Sequence, residues 1–341
     1  MYLATIDCGT TNSRVYIVNE DGRIFGKAAR KIGVRDTAIA GTNAALKKGL
    51  TETFYGALNN AHLELADIAF VISSGMITSE IGLLDIPHVW APAGVEDLAR
   101  NIKTVRDSSI FPVDLPIHFI RGIKNRYNPG VNRLENVAML DFMRGEEVQV
   151  AGVLALYDIH PPVTIVVLSS HTKFIPVDAH RRVLGSVTTV SGQVYEAIIK
   201  ETFIGKSIRD DDGFDDQDYF NEDVVEISYD CVARSGFLRT LLMPRFLDVL
   251  LQTKWYERKL FVEASIAAED MKALNQLQSL GFPHRTDYIL VGASRRCRIY
   301  EYLLKEKMKF TTNVVKITES RDIDSLSIKG AIYVARQAAL I

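Results

Sequence analysis

The sequence predicts a two-domain α/β protein, and three features of the chain support that fold class. The chain has 341 residues, about twice the usual length of one domain. The paired prolines of Asp158–Pro162 stop any helix near the middle of the chain, so this segment is the expected hinge. Short apolar strands separated by polar turns follow in the same order after Met1 and again after Pro162. We therefore expect two domains of related design.

The first half opens with three predicted strands. Tyr2–Ile6 and Val15–Val18 are apolar segments joined by the polar turn Asp7–Ser13. The turn Asn19–Gly22 follows, and Ile24–Gly26 begins the third strand.

The second half repeats this order and then becomes mainly helical. Val163–Leu168, Lys173–Val177 and Val183–Val187 are three more predicted strands separated by polar turns. The other predicted elements show helical spacing or are apolar runs that end near Gly. They are the helices Thr51–Leu65, Val148–Tyr157, Tyr300–Leu304 and Gly330–Leu340, the mostly helical stretch Leu238–Leu280, and the strands Ile68–Ile72 and Tyr288–Gly292.

Charge and composition limit the classes of partner. The formal net charge is −2, so the chain has no basic excess with which to neutralise phosphates, and nucleic acid is not the expected partner. Arg295, Arg296 and Arg298 form only a small basic group. No apolar run approaches the roughly 18 residues needed to cross a bilayer, and the N-terminus lacks the basic leader of a signal peptide.

Cysteine use indicates the compartment. Cys8, Cys231 and Cys297 are too few and too far apart for a disulfide scaffold or a Cys-x-x-Cys metal site. A reduced, cytoplasmic compartment is therefore expected.

The turn after the first strand contains the strongest local signal for chemistry. Asp7–Arg14 combines a glycine, which permits close approach of the backbone to an anion, with hydroxyl groups that can donate to it. Asp7 at the strand end is suited to hold Mg²⁺ through its waters. An ordinary polar hairpin turn with a capping Asp explains the same residues, because Asp, Gly and Thr are common in turns.

Two carboxylates stand just before the predicted helix Val148–Tyr157. In Arg144–Glu147, Glu146 is a candidate general base that draws a proton from a substrate hydroxyl, and Arg144 a candidate ligand for an anionic group. Carboxylates at a helix N-terminus also have a structural explanation, since they favour its positive end.

The corresponding turn of the second half is Ser169–Lys173. Its hydroxyl groups and Lys173 suit a phosphate chain, although a plain hairpin with a hydrogen-bonded His171 explains the same residues. A hydrolase that uses Ser170 and His171 is a third interpretation, and it lacks both a Gly-x-Ser-x-Gly elbow and a placed acid.

Other turns are weaker signals. Ser73–Met76, Thr189–Gln193 and Val291–Ser294 each place a glycine after a strand, and the last suits close approach to an adenine ring. The acidic segment Arg209–Asp223 is interpreted as a solvated loop. An EF-hand frame on its glycine would put the first ligand on Ile208, so that template fails.

Taken in order, these segments resemble the 2-dehydro-3-deoxygalactonokinase family, sugar-acid kinases of the actin/hexokinase/heat-shock-70 ATPase superfamily. The resemblance rests on Asp7–Arg14, Gly75–Met76, Met143–Gln149, His171–Phe174 and Ser191–Gly192. It implies a two-domain actin-like ATPase (ribonuclease H-like) fold with ATP and Mg²⁺ in the interdomain cleft. The implied reaction is phosphorylation of 2-dehydro-3-deoxy-D-galactonate at its terminal hydroxyl.

The resemblance also implies roles for individual residues. Glu146 and Asp7 are the expected catalytic residues, and Asp7 is also expected to lie near Mg²⁺. The residues expected to bind ATP are Gly9, Thr10, Thr11, Asn12, Ser170, His171, Thr172, Lys173 and Gly292. Those expected to bind the sugar acid are Arg14, Gly75, Met76, Arg144, Glu147 and Gly192.

Three positions depart from the family pattern. Cys8 stands where relatives carry Trp, Ser169 replaces a loop glycine and Gln193 replaces a Glu. A non-catalytic sugar-acid or nucleotide-binding regulator that retains the kinase cleft is therefore the alternative function.

The expected domains are 1–158 with the closing helix 325–341, and 159–324. The expected partners are a sugar acid and ATP, without nucleic acid or membrane, and a homodimer is left open.

Overall fold

The computed structural model of the chain describes residues 1–128, 130, 134–311 and 313–341. Contacts divide these residues into two compact units. Unit 1 consists of Met1–Pro161, Asp178–Gly185 and Asp324–Ile341, and unit 2 of Pro162–Val177 and Ser186–Ile323. The turn Asp178–Gly185, expected in the second domain, groups with unit 1 because Val183 pairs with Ala93.

Unit 1 is built on a six-stranded sheet and a small three-stranded sheet. Their strands are β1 (Tyr2–Cys8), β2 (Ser13–Asn19), β3 (Ile24–Arg30), β4 (Ile68–Gly75), β5 (Val89–Trp90), β6 (Lys103–Val105), β7 (Ile117–Phe119), β8 (Ile123–Lys124) and β9 (Phe142–Met143). The large sheet has the order β3-β2-β1-β4-β7-β6, and the small one β5-β8-β9. β1, β4 and β7 run parallel to one another, whereas β2 and β3 are antiparallel neighbours.

Helices cover the sheet of unit 1. They are α1 (Val34–Ala40), α2 (Ala44–Ala61), α3 (Val95–Arg100) and α4 (Glu146–Leu156), with 3₁₀ turns at Leu65–Asp67, Met76–Thr78 and Val137–Met139. α2 buries Leu46, Leu50, Phe54 and Ala57, whose spacing keeps one face on the core. The helix predicted over Thr51–Leu65 therefore exists, but it starts and ends earlier because its apolar face begins at Leu46.

Unit 2 has a five-stranded sheet of the same design. Its strands are β10 (Val163–Leu168), β11 (Thr172–Val177), β12 (Val187–Thr189), β13 (Asp287–Gly292) and β14 (Val314–Ile317), in the order β12-β11-β10-β13-β14. β10–β12 are antiparallel neighbours, and β13 pairs parallel with β10, as β4 does with β1. The predicted repetition of strand order is confirmed. The strand predicted over Val183–Val187 is wrong at its start, because β12 begins only at Val187.

Helices make up most of the rest of the described chain. They are α5 (Ser191–Glu201), α6 (Ile204–Ser207), α7 (Glu222–Ser235), α8 (Phe237–Val249), α9 (Trp255–Ser279), α10 (Ser294–Tyr302) with a π-helical continuation over Leu303–Lys307, and α11 (Ser320–Gln337). α9 carries Leu260, Ala264 and Leu274 into the core of unit 2. α11 starts ten residues before the predicted closing helix. No helix of the described residues is both long and apolar enough to cross a bilayer.

Two helices of unit 1 cross with their backbones in contact. A Cβ built on Gly152 of α4 would lie 2.0 Å from the carbonyl oxygen of Leu326 in α11. A Cβ on Gly330 of α11 would lie 1.9 Å from the carbonyl oxygen of Val148 in α4. Since no side chain fits at either position, the two glycines set the distance between the helices. This contact holds α11 against the helix that starts at Glu146.

Candidate active site

The carboxyl ends of three parallel strands meet at one edge of the unit 1 sheet. Asp7 of β1 is paired with Ser74 of β4, and Ser73 of β4 with Phe119 of β7. Open α/β sheets bind their ligands outside the carboxyl ends of such strands. This edge, called here the β1–β4–β7 edge, is therefore the candidate ligand site of unit 1.

The loop Gly9–Asn12 follows β1 at this edge. The Gly9 N–H donates to the Asn12 carbonyl at 2.9 Å, and the Arg35 N–H donates to the Thr10 carbonyl at 2.9 Å. Thr10, Thr11 and Asn12 are exposed. The closed loop thus presents hydroxyl and amide donors at the surface, the arrangement that phosphate binding needs.

Asp7 lies in a cluster of charged and polar side chains. Its carboxylate is 3.6 Å from the Arg14 guanidinium. Burial raises the pKa of Asp7, Arg14 lowers it, and the nearby Asp324 of α11 raises it again, with a net upward shift. Burial, and after it the charge of Asp324, raises the pKa of the Tyr16 hydroxyl. Two carboxylates therefore share this corner of unit 1 with one guanidinium.

The cluster around Asp7 bears on the expected magnesium ion. In the described part of the chain, no three His, Cys, Asp or Glu side chains come together as a metal-binding group. Two carboxylates, Asp7 and Asp324, stand here against the one guanidinium of Arg14, so an added cation would be stabilised. These residues fit a hydrated Mg²⁺ held through its waters rather than a cage of direct protein ligands.

Two glycines bring the helix α4 to the same edge. Gly75 at the end of β4 has φ +90°, and Gly145 just before α4 has φ +112°, both unfavourable for other residues. A Cβ on Gly145 would lie 3.4 Å from the Cα of Gly75. The start of α4, with Glu146, therefore lies beside the end of β4, next to Asp7.

The two carboxylates at the start of α4 occupy different environments. Glu147 is 1% exposed, and its two oxygens accept the Gly145 N–H at 2.9 and 2.8 Å. Burial and the charge of Glu146 raise the pKa of Glu147 to about 8. Glu146 is only partly buried. Glu147 therefore caps the loop before the helix, and this geometry does not support its expected contact with a substrate.

The side chains of Arg144 and Met76 both contact other residues of unit 1. The Arg144 side chain is 6% exposed, and Nη1 donates to the Thr78 hydroxyl at 2.7 Å and to the Ile86 carbonyl at 3.1 Å. Asp85 lies 4.0 Å from Nη2. Met76 packs against the core of unit 1. Arg144 thus fastens the chain after β4 to the start of α4, so half of its guanidinium is already occupied.

In unit 2, the expected phosphate-binding residues also meet at the ends of parallel strands. A Cβ on Gly192 would lie 2.2 Å from the Ser169 carbonyl, so α5 starts directly against the turn Ser169–Lys173. Gly292 of β13 is paired with Leu168 of β10 at the same edge. Arg296 of α10 donates to the Ser169 carbonyl at 2.7 Å and to the Thr172 hydroxyl at 2.8 Å. Arg296 is a site residue that the sequence patterns did not identify.

A buried carboxylate supports this edge of unit 2. Asp270 of α9 is 4% exposed and accepts hydrogen bonds from the hydroxyls of Ser191 and Tyr300. The Tyr300 hydroxyl also lies 3.4 Å from that of Thr172. Nothing in the sequence around Asp270 sets it apart from an ordinary polar position of a long helix, so only its tertiary contacts identify it.

A cavity of about 190 Å³ opens beside this network in unit 2. Ala293, Arg296, Gly192 and Tyr195 are among the residues that line it. Small residues and two arginines, Arg295 and Arg296, around a cavity at the ends of parallel strands suit a planar base and the phosphates attached to it. This cavity is the candidate nucleotide site.

The hydrolase interpretation of Ser170 and His171 finds no support in the geometry. The Ser170 hydroxyl lies 3.2 Å from His171 Nδ1. Burial and the Lys173 charge lower the pKa of His171, and no carboxylate contributes to that shift. In the described chain no carboxylate hydrogen-bonds the ring, so the acid that orients a catalytic imidazole is absent.

The acidic segment Arg209–Asp223 is mostly exposed, as expected, although some of its carboxylates are paired within unit 2. Asp216 pairs with Lys259 at 2.8 Å and with Arg295 at 2.6 Å. Asp212 accepts the indole N–H of Trp255 at 2.8 Å. Arg295 is therefore part of the internal structure of unit 2 and does not contribute to a basic surface.

The comparisons with known proteins agree on one family. The family model for 2-keto-3-deoxy-galactonokinase matches residues 7–321. A curated relative, "Probable 2-dehydro-3-deoxygalactonokinase DgoK1" of Rhizobium meliloti (strain 1021), is 25% identical over 215 residues. That alignment covers 62% of this chain and 61% of the relative, so it spans less than two thirds of the relative's length.

Solved structures show the same fold. The crystal structure of a "putative 2-dehydro-3-deoxygalactonokinase protein" from Sinorhizobium meliloti has a TM-score of 0.71 at 20% identity and covers 98% of this chain and 96% of its own. The activator of 2-hydroxyisocaproyl-CoA dehydratase from Clostridium difficile has a TM-score of 0.52 at 14% identity, with coverage of 100% and 96%. The predicted actin-like ATPase fold class is confirmed. By the family model, which matches nearly its whole length, the chain belongs to the 2-keto-3-deoxy-galactonokinase family.

Proposed function

We propose that this protein transfers the γ-phosphoryl group of ATP to the terminal hydroxyl of 2-dehydro-3-deoxy-D-galactonate, giving the 6-phosphate. Family membership supports the reaction class. The observation that carries the proposal is the contact between Gly145 and Gly75, which puts Glu146 beside the strand end that holds Asp7. Phosphoryl transfer needs a carboxylate near the attacking hydroxyl and a loop that binds phosphate, and we assign both to this edge.

Glu146 is the proposed general base. Its neighbour Glu147 is buried and accepts the Gly145 N–H, whereas Glu146 is only partly buried, so Glu146 is the carboxylate of this pair that we assign to the substrate hydroxyl. Taking the proton as the oxygen attacks raises the nucleophilicity of that oxygen, a contribution of about 10²–10⁴-fold.

Unit 2 is the proposed nucleotide-binding unit. The Clostridium difficile activator that shares the fold carries bound ADPNP. We assign the base to the 190 Å³ cavity that Ala293 lines, and the phosphates to Ser170–Lys173. Gly292 and, in unit 1, Gly9–Asn12 are also proposed to bind ATP, as the family resemblance implies. Arg296 would hold the turn Ser169–Lys173 in place through its two hydrogen bonds. Asp7 would hold Mg²⁺ through water, and that ion would neutralise charge on the phosphates.

The remaining roles concern the sugar acid. Arg14, Gly75 and Gly192 are proposed to line its site, as the family resemblance implies. Arg144, whose Nη1 is already bound by Thr78 and Ile86, is proposed to act mainly by positioning the loop before Glu146. We further propose that the partners of this protein are small molecules and not nucleic acid, in line with its net charge of −2.

The alternative of a non-catalytic regulator rests on Ser169 and Gln193. Neither Ser169 nor Ser170 has a positive φ, so this turn does not need the family glycine for its backbone conformation. The Gln193 N–H donates to the Ser170 carbonyl at 2.9 Å, which holds α5 against the turn. These two observations favour a functional phosphate turn and thus the kinase.

The test is ADP release from ATP and Mg²⁺ across a panel of sugar acids that includes 2-dehydro-3-deoxygalactonate. ADP release that depends on one of them, with the phosphorylated product identified by mass spectrometry, is the expected result. Nucleotide binding by calorimetry without transfer to any acid would favour the regulator. Absence of both binding and transfer would overturn the proposal.

A further inference from the structure

One arginine at the β1–β4–β7 edge has a shielded nitrogen without a hydrogen-bond partner among the described residues. Arg121 follows β7 and is partly buried, and its Nε is shielded from solvent without a hydrogen bond to any described residue. Most buried polar groups are satisfied, so this guanidinium nitrogen at a site edge is available to donate to a bound ligand. Leaving a partly buried cation unpaired costs free energy that an anionic ligand would recover.

The other cations near this edge are occupied or exposed. Arg14 pairs with Asp7 at 3.6 Å, and Arg144 donates to Thr78 and Ile86. The Lys124 ammonium lies 3.9 Å from the centre of the Trp90 ring. Arg126 is exposed to solvent. Of these cations, Arg121 is the one that combines a shielded nitrogen with an unfilled hydrogen-bonding capacity.

The backbone on both sides of Arg121 is fixed by the site itself. The Ile120 N–H donates to the Ser73 carbonyl of β4 at 2.8 Å. A Cβ on Gly122 would lie 2.2 Å from the Met143 carbonyl and 2.9 Å from Cγ of Arg144. Arg121 therefore stands on a backbone clamped between the end of β4 and the segment that leads into Glu146. A rigidly placed guanidinium is suited to bidentate recognition of a carboxylate.

We propose that Arg121 binds the carboxylate of the sugar acid, and this inference rests on the proposed function. β4 lies between β1 and β7, so Arg121 and the phosphate loop after β1 are separated by two strand spacings, about 10 Å. A sugar acid has its carboxylate and its terminal hydroxyl at opposite ends of the carbon chain. With the carboxylate at β7, the hydroxyl end extends towards Glu146 and the loop Gly9–Asn12. Arg121, and not the occupied Arg144, is then the residue that selects an acid over a neutral sugar.

The test compares Arg121→Gln with the wild type on two substrates, the sugar acid that the wild type phosphorylates best and its neutral carboxamide. For the acid we expect KM to rise about 10- to 100-fold in Arg121→Gln, the scale of one lost charged hydrogen-bonded pair, with kcat changed far less. For the carboxamide KM should stay within about threefold of the wild type. Arg121→Lys should recover part of the loss, and Arg126→Gln, the exposed control in the same segment, should behave as the wild type.

Three results would overturn the inference while leaving the kinase intact. The first is an unchanged preference for the acid in Arg121→Gln. The second is an equal loss on acid and carboxamide with a raised KM for ATP, which would assign Arg121 to the phosphates. The third is a loss shared by Arg126→Gln.

Direct binding separates this inference from the proposed function. If the wild type phosphorylates no acid but binds 2-dehydro-3-deoxygalactonate by calorimetry, loss of that binding in Arg121→Gln would support Arg121 and contradict the kinase. If the wild type neither binds nor phosphorylates the acid, both proposals fail.

Discussion

The backbones of Gly145 and Gly75 touch, with the position of a Gly145 Cβ only 3.4 Å from the Cα of Gly75. Gly75 ends a central strand, and Gly145 immediately precedes α4. Both have positive φ, so each turn changes direction where another residue would be strained. The contact joins two segments seventy residues apart, and it brings Glu146 to the strand edge that carries Asp7.

Replacing Glu146 by Gln should remove the proposed base while keeping the size of the side chain. We expect kcat to fall by about 10²-fold or more, the usual scale for loss of a general base, with little change in thermal stability. The measurement is steady-state ADP release on the best sugar acid. Glu96→Gln, an exposed carboxylate in the first turn of α3, is the matched control and should retain full activity. Full turnover in Glu146→Gln would remove Glu146 from this role.

Glu147 should make the stability of the protein depend on pH. Burial and Glu146 raise its pKa from an ordinary 4.5 to about 8, so the folded state binds this proton more tightly than the unfolded state does. The stabilisation from Glu147 is therefore complete below about pH 4.5 and is lost as the pH rises through about 8. Relative to Glu147→Gln, the wild type should lose stability across this window, by at most about 1.4 kcal/mol per pH unit.

Urea unfolding of both proteins at several pH values between 5 and 9 measures this difference. Gln keeps an oxygen that accepts the Gly145 N–H, so the comparison isolates the titration. Parallel stability curves for the two proteins would show that Glu147 does not hold its proton in the folded state.

Adding a methyl group at Gly152 should separate α4 from α11. A Cβ there would lie 2.0 Å from the Leu326 carbonyl, and the helix backbone cannot move aside without shifting the whole crossing. We expect Gly152→Ala to lower the free energy of unfolding by about 1–3 kcal/mol or more. Gly56→Ala is the control, because Gly56 also lies inside a helix but its Cβ would make an ordinary 3.5 Å contact with Ala28. There we expect up to about 1 kcal/mol of stabilisation from the better helix former.

Both variants replace a helical glycine by alanine, so the difference between their stabilities reports how much room each site has for the new methyl group. If Gly152→Ala were as stable as Gly56→Ala, the close crossing of α4 and α11 would be contradicted.

The two tyrosines of α10 should respond differently to loss of their hydroxyls. Tyr300 is 1% exposed, and its hydroxyl donates to the buried Asp270. Tyr302 donates to Glu226 at the surface, at 3.2 Å. We expect Tyr300→Phe to destabilise by about 1.5–3 kcal/mol and to weaken nucleotide binding, and Tyr302→Phe to change stability by less than about 0.5 kcal/mol. Thermal unfolding and ATP titration measure both effects, and similar results for the two variants would contradict the assigned network.

Much of the fold could be predicted from local patterns. β1, β10 and β13 are apolar runs that end at polar turns, and these patterns identify them directly. Element ends were less accurate, since α2 and α11 begin before the predicted residues. Those starts depend on which residues reach the core, and a local pattern does not contain that information.

Some residues of the candidate site could likewise be predicted from local patterns, and others are identified only by their tertiary contacts. The turns Asp7–Arg14, Arg144–Glu147 and Ser169–Lys173 are visible in the sequence because glycine, hydroxyl and charged residues cluster over a few positions. Asp324 and Asp270 lie in long helices close to other acidic residues, Asp322 and Glu269, so no local pattern sets them apart. They become site residues only because α11 and α9 bring them beside Asp7 and Ser191.

The sequence by itself therefore determined the α/β class, the repeated strand order and the chemical character of three turns, because those properties are set by neighbours along the chain. Only the tertiary structure decided that Glu147 is a buried cap, that Arg144 is already bound by Thr78 and Ile86, and that the shielded Nε of Arg121 has no hydrogen-bond partner among the described residues. The physical reason is that burial and hydrogen bonding depend on segments distant in sequence. The chemistry of a charged side chain is set by those contacts as much as by its own identity.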